Sequence, residues 1–210
     1  MIVSEKLEPK MPFVLALTFD GRRERGLLEG VADRFDGRIL LWFPPTRGKR
    51  GLKVMCEDLK LHLERAYKHK SELPFVPVLV LGDKEHFRAF LAGQTDMPSE
   101  LRDAMTDYGI EVLEVRQGPT SRLCALLTVE GGYGHRAFRA LVVVLGERKS
   151  AEENVAFLSE RLGLARPPST ARGLRKLLGD RERIPDDLLE EAFPCLCAAL
   201  RELQNWLTGC

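Results

Sequence analysis

The segment Phe13-Val14-Leu15-Ala16-Leu17-Thr18-Phe19 is apolar without alternation and stops at Asp20-Gly21-Arg22-Arg23-Glu24. A short apolar run closed by turn residues reads as a strand buried on both faces. Glu24–Phe35 follows with Leu27, Leu28, Val31 and Phe35 on one helical face. Arg38–Phe43 is a second apolar run, stopped by Pro44-Pro45, and Leu52–Lys68 is an amphipathic helix carrying Leu52, Met55, Leu59, Leu63 and Ala66. Phe75–Leu81 is a third apolar run, with Pro77 marking an irregular entry. Strand and helix therefore alternate, which predicts βαβ units and a parallel sheet with helices on both faces.

Working outward, His86–Leu91 and Pro98–Tyr108 read as short helices, and Ile110–Val115, Leu123–Val129 and Arg139–Leu145 as strands. Gly131-Gly132-Tyr133-Gly134 suits a hairpin-like connection. Ser150 and Glu153 form a capping box for a helix reaching Leu162. After Arg166-Pro167-Pro168-Ser169 the chain turns helical, over Thr170–Leu178 and Pro185–Leu207. Pro194 either kinks the last helix or begins it anew from the first turn. The expected architecture is an open, mainly parallel α/β sheet over residues 1–165. Residues 166–210 add helices packed on it, in one compact unit.

The 210 residues, 44% hydrophobic and 30% charged, suit a globular chain able to bury a core, and a net charge of +1 excludes a global basic field for nucleic acid. Apolar runs of about eight residues fall far short of a membrane span. The five cysteines show no C-x-x-C spacing. Their odd number and the lack of an apolar leader predict core thiols in a reducing, cytoplasmic interior.

Two acidic clusters end the first and third strands: Asp20 with Glu24, and Asp83 with Glu85. On neighbouring parallel strands they meet at the sheet edge where open α/β folds bind ligands. Residues i and i+2 of an extended segment point the same way, so Asp83 and Glu85 can face one ion. Magnesium takes a few carboxylates and keeps several waters. The plainer alternative is that the acids cap helices. The glycine-bearing loop with Arg47, Lys49 and Arg50 belongs to the same edge and suits phosphate, although it lacks the P-loop order.

Leu17–Glu24, the loop Thr46–Gly51 and Asp83-Lys84-Glu85 together resemble the Toprim domain, most of all its small stand-alone members. The resemblance covers about residues 13–87, with Asp20 standing where the family has glutamate and Glu85 where it has aspartate. It implies a Toprim/Rossmann-like fold and a magnesium-dependent reaction on nucleic-acid phosphodiesters. Asp20 and Glu24 would be catalytic, Asp83 and Glu85 would be metal ligands, and Arg47, Lys49 and Arg50 would hold phosphate. The alternative is a non-catalytic module that binds a nucleotide or a protein. No oligomeric state follows from the sequence.

Overall fold

A computed structural model describes residues 1–8, 11–19, 22–45, 51–69, 72–83, 99–120, 123–146 and 151–209. Among them the strands are β1 Ile2–Ser4, β2 Phe13–Thr18, β3 Leu40–Trp42, β4 Val76–Asp83, β5 Glu111–Thr120, β6 Cys124–Tyr133 and β7 Arg136–Leu145. The helices are α1 Arg22–Ala32, α2 Leu52–His69, α3 Ser99–Asp107, α4 Ala151–Arg161, α5 Ala171–Gly179, α6 Asp186–Ala192 and α7 Pro194–Thr208.

The strands form one sheet in the order β1-β3-β2-β4-β7-β6-β5. The pairings from β1 through to β7 are parallel, and β6 runs antiparallel to both β7 and β5. The sheet is thus mainly parallel, as the strand–helix alternation predicts. Every residue of β2 and β4 is buried, because each strand is covered on both faces. Val14 and Ala16 join the core that holds Leu27 and Val31 of α1, whereas Phe13, Leu15 and Leu17 join the core that holds Leu59 and Leu63 of α2. This two-sided burial is what makes the runs apolar without alternation.

The tail helices belong to the α1 side. Leu174, Leu178, Leu189, Phe193, Leu196, Leu200 and Leu203 share one core with Val14, Leu79 and Leu141. Pro194 opens α7 at its first position, so the helix starts afresh there. Thr170 caps α5, its Oγ1 accepting from the Gly173 N–H at 3.1 Å. The glycine-rich break becomes a β6–β7 hairpin, pairing Tyr133 with Arg136 around Gly134-His135.

Helices α1 and α5 cross closely at two glycines. A Cβ on Gly26 would lie 2.5 Å from the Ala171 carbonyl oxygen and 2.6 Å from its Cα. A Cβ on Gly30 would lie 2.7 Å from the Leu178 Cβ. Alanine at position 26 gains about 1 kcal/mol of helix propensity, but it collides with backbone that has no rotamer to change. Overpacking therefore wins, and Gly26→Ala is expected to cost about 2 kcal/mol net, lowering the melting temperature by about 6 °C. Gly37→Ala, with no atom within 4 Å of the added carbon, is the matched control and should melt within about 1 °C of the parent chain.

Candidate functional site

The edge singled out in the sequence is the topological switch point of the sheet. From β2 the chain crosses through α1 to β3 on one side, and from β3 it returns through α2 to β4 on the other side of β2. The two connections lie on opposite faces, and the carboxyl ends of strands at such a reversal are where open α/β sheets take ligands. Leu17 pairs with Val80 and Thr18 with Leu81 in parallel register. The Phe19 N–H continues this contact by donating to the Leu81 carbonyl at 3.3 Å. The Phe19 carbonyl accepts from the Gly51 N–H at 3.2 Å, which ties the start of α2 to the same edge. The Phe19 ring fills the space above Gly82, where a Cβ would sit 2.0 Å from a ring carbon. Position 82 must therefore be glycine while Phe19 stays buried.

Of the residues assigned to this site, Glu24 and Asp83 are among the described residues. Asp20, Glu85, Arg47, Lys49 and Arg50 lie outside them, as do His86, Ser150 and the helix expected over His86–Leu91. Glu24 is buried in the first turn of α1. Asp83 ends β4 and is also buried. Its Oδ1 accepts from the Ala151 N–H at 2.6 Å, so this carboxylate caps α4, a helix 68 positions further along. A carboxylate at a helix start satisfies an otherwise unpaired N–H and complements the helix dipole. Among the described residues, no three His, Cys, Asp or Glu side chains gather into a group able to hold a metal ion. No helix there is long and apolar enough to cross a membrane.

The cysteines correct the expectation of core thiols throughout. Cys124 at the start of β6 and Cys195 in the first turn of α7 form a disulfide, with their Cα atoms 6.0 Å apart. The topology folds the tail back over the sheet and brings the two together, so an odd count is no argument for a reducing compartment. Cys56 and Cys197 are buried free thiols. Burial pushes both up to about 12, with Asp107 adding to it at Cys56, while at Cys197 Arg34 opposes it and Asp186 adds to it. Neither is a poised nucleophile.

The sequence reading missed a cavity beside this edge on the α1 side. Its volume is about 300 Å³, and it lies between α1, α4, α5 and the linker through Pro167 and Pro168. Leu27, Val155 and Leu174 wall it, and an ion pair between Arg23 and Glu152 stands at its rim. Its wall comes from separate segments, so no local pattern marks it. Asp83 bears on it indirectly, because the helix start it caps carries Ala151 and Glu152. Compared with family models, with curated proteins and with solved structures, the chain matches none.

Proposed function

We propose that the switch-point edge of β2 and β4 binds a phosphate-bearing ligand of the nucleotide class, and that the chain works as a binding module without turning the ligand over. The observation that carries this is the parallel β2–β4 register with its connections on opposite faces, the arrangement at which open α/β sheets take ligands. The segment with Arg47, Lys49 and Arg50 leads in sequence to Gly51, whose N–H is held at that edge by Phe19. Guanidinium and ammonium groups such as that segment carries make charge-assisted bonds to phosphate. The hydrogen bond from Ala151 favours a structural role for Asp83, since a buried carboxylate capping a helix is poorly placed for an ion that retains most of its waters.

Titration calorimetry with ATP and AMP, in magnesium and in EDTA, tests the reading. Binding should persist in EDTA within about threefold and weaken at least about tenfold in Lys49→Ala/Arg50→Ala, the loss of one or two charged hydrogen bonds. No binding of either nucleotide at millimolar concentration would overturn it.

A second reading is the magnesium-dependent phosphodiester reaction that the Toprim resemblance implies. It is favoured by two buried carboxylates, Glu24 and Asp83, on the elements that follow and form this edge. Asp83→Asn separates the two. A binding module loses about 1 kcal/mol of capping stability and keeps its nucleotide affinity. A metal enzyme loses magnesium-dependent binding and strand scission.

A further inference from the structure

We infer that the hollow between the segment after α4 and the C-terminal half of α5 is a second ligand site, for a small phosphomonoester. Three cations from three separate segments line it: Arg166 after α4, Lys176 on α5 and Arg183 in the turn after α5. Among the described residues, Asp180 is the one acid on its wall. Its volume is about 310 Å³, the small end of ligand pockets. These residues fall within 164–183, inside the unbroken described stretch 151–209.

Arginines elsewhere on the tail pair with acids: Arg161 with Glu191 at 2.7 Å, Arg175 with Glu29 at 3.5 Å, and Arg201 with Glu190. The side chains of Arg166, Lys176 and Arg183 have no such partner among the described residues. Like charges gathered around one hollow repel, and an anion between them removes that cost. Asp180 offsets only part of it, and its carboxylate has another task. Its Oδ1 accepts from the Arg183 N–H at 3.2 Å, which closes the turn. Arg34 holds the same turn from the other side, donating to the carbonyls of Leu178, Asp180 and Ile184. Arg183 therefore projects from backbone fixed before and after it, which lowers the ordering cost of binding.

A phosphomonoester at neutral pH carries close to two charges and three acceptor oxygens. It can serve two guanidinium forks and an ammonium together. A monocarboxylate brings one charge and two oxygens, and leaves a cation unmatched. Leu177, 7% exposed, and Leu164 and Pro168 add an apolar wall. The organic part of an ester gains by leaving water against that wall, and inorganic phosphate has nothing to place there. A nucleic-acid strand presents its phosphates in a row along a surface. It would draw on Arg172 and Arg181, exposed cations of the same stretch that do not line the hollow, as much as on the three that do.

Titration calorimetry of the whole chain at about 50 mM salt, where surface charges are weakly screened, tests this with phenyl phosphate, inorganic phosphate, benzoate and a single-stranded oligonucleotide. Phenyl phosphate should bind with a Kd below about 1 mM. Inorganic phosphate should bind at least about threefold more weakly, and benzoate at least about tenfold more weakly. Lys176→Gln/Arg183→Gln should weaken phenyl phosphate at least about tenfold. Both side chains are exposed, so that variant should melt within about 1 °C of the parent chain. Arg172→Gln/Arg181→Gln should keep the affinity within about twofold. No binding of phenyl phosphate at about 10 mM overturns the inference. So does an equal loss in the two double variants, which is a general basic field and not a site, or inorganic phosphate binding as tightly as the ester. An oligonucleotide that binds more tightly than phenyl phosphate and weakens equally in both variants overturns it too, as the mark of a nucleic-acid track along α5. Nucleotide binding at the β2–β4 edge is read by Lys49→Ala/Arg50→Ala and binding here by Lys176→Gln/Arg183→Gln, so neither result stands in for the other.

Discussion

Opening the Cys124–Cys195 disulfide is expected to lower the melting temperature by about 12 °C. The bridge closes a loop of 71 residues. In the chain-entropy account a cross-link of that span removes about 4 kcal/mol of freedom from the unfolded chain. For a domain of this size each kcal/mol corresponds to about 3 °C. Both sulfurs are buried, one at the start of β6 and the other at the start of α7. The covalent link therefore joins the tail to the sheet across the core shared by Leu126, Leu141, Leu196 and Leu200. Those apolar contacts survive reduction, so the reduced chain should keep its native circular dichroism at low temperature and differ in the position of its transition. Two measurements check this. Thiol titration in guanidinium should find two more reactive groups after reduction than before. The Cys124→Ser/Cys195→Ser variant should melt near the reduced protein. Equal thiol counts, or a transition shifted by less than about 2 °C, would show that the bridge does not constrain the chain.

Burial on two faces wrote the central strands plainly into the sequence, and the edges did not benefit from it. Phe13–Phe19 and Phe75–Leu81 stand out as nearly unbroken apolar runs, and their parallel direction follows from the helices between. Ile2–Ser4 carries no such signal. It is three residues long, pairs on one side with β3, and leaves Ile2 49% exposed. The strand expected over Ile110–Val115 runs on to Thr120 through Glu114, Arg116 and Gln117, since an edge paired to β6 tolerates polar side chains facing water. The acids after each strand are local facts, but the order that makes β2 and β4 neighbours is set by the opposite faces that α1 and α2 take, so the sequence holds it only as a condition. The partner of Asp83 was not legible, as a cap formed across 68 positions leaves no spacing rule. The same holds for the disulfide and for the cavity, whose residues meet only once the tail has docked.

Arg34→Met is expected to cost about 3 kcal/mol and to loosen the α5–α6 connection ahead of the rest of the fold. The guanidinium is almost fully buried, its side chain 3% exposed. Nε donates to the Leu178 carbonyl at 2.9 Å, Nη1 to the Ile184 carbonyl at 2.7 Å and to Asp186 Oδ1 at 2.7 Å, and Nη2 to the Asp180 carbonyl at 3.2 Å. A single side chain from beyond the end of α1 thereby holds the last turn of α5, the turn after it and the first turn of α6. Methionine keeps the packing of the stem and removes every one of these bonds, so the loss isolates the polar contribution. Lysine reaches one direction with a point charge and should recover a minor part, because the planar fork is what spans three carbonyls. Ion pairs elsewhere do not compete with this one. Arg161–Glu191, 56% and 49% exposed, should contribute under about 1 kcal/mol, and Arg161→Gln serves as the comparison. Urea unfolding gives the magnitudes, and hydrogen exchange gives the location. Amides over residues 178–189 should exchange faster in Arg34→Met while those of β2 and β4 follow only the global loss. A methionine variant as stable as the parent would mean that water satisfies the three carbonyls as well as the guanidinium does, and that the tail is held by its apolar face alone.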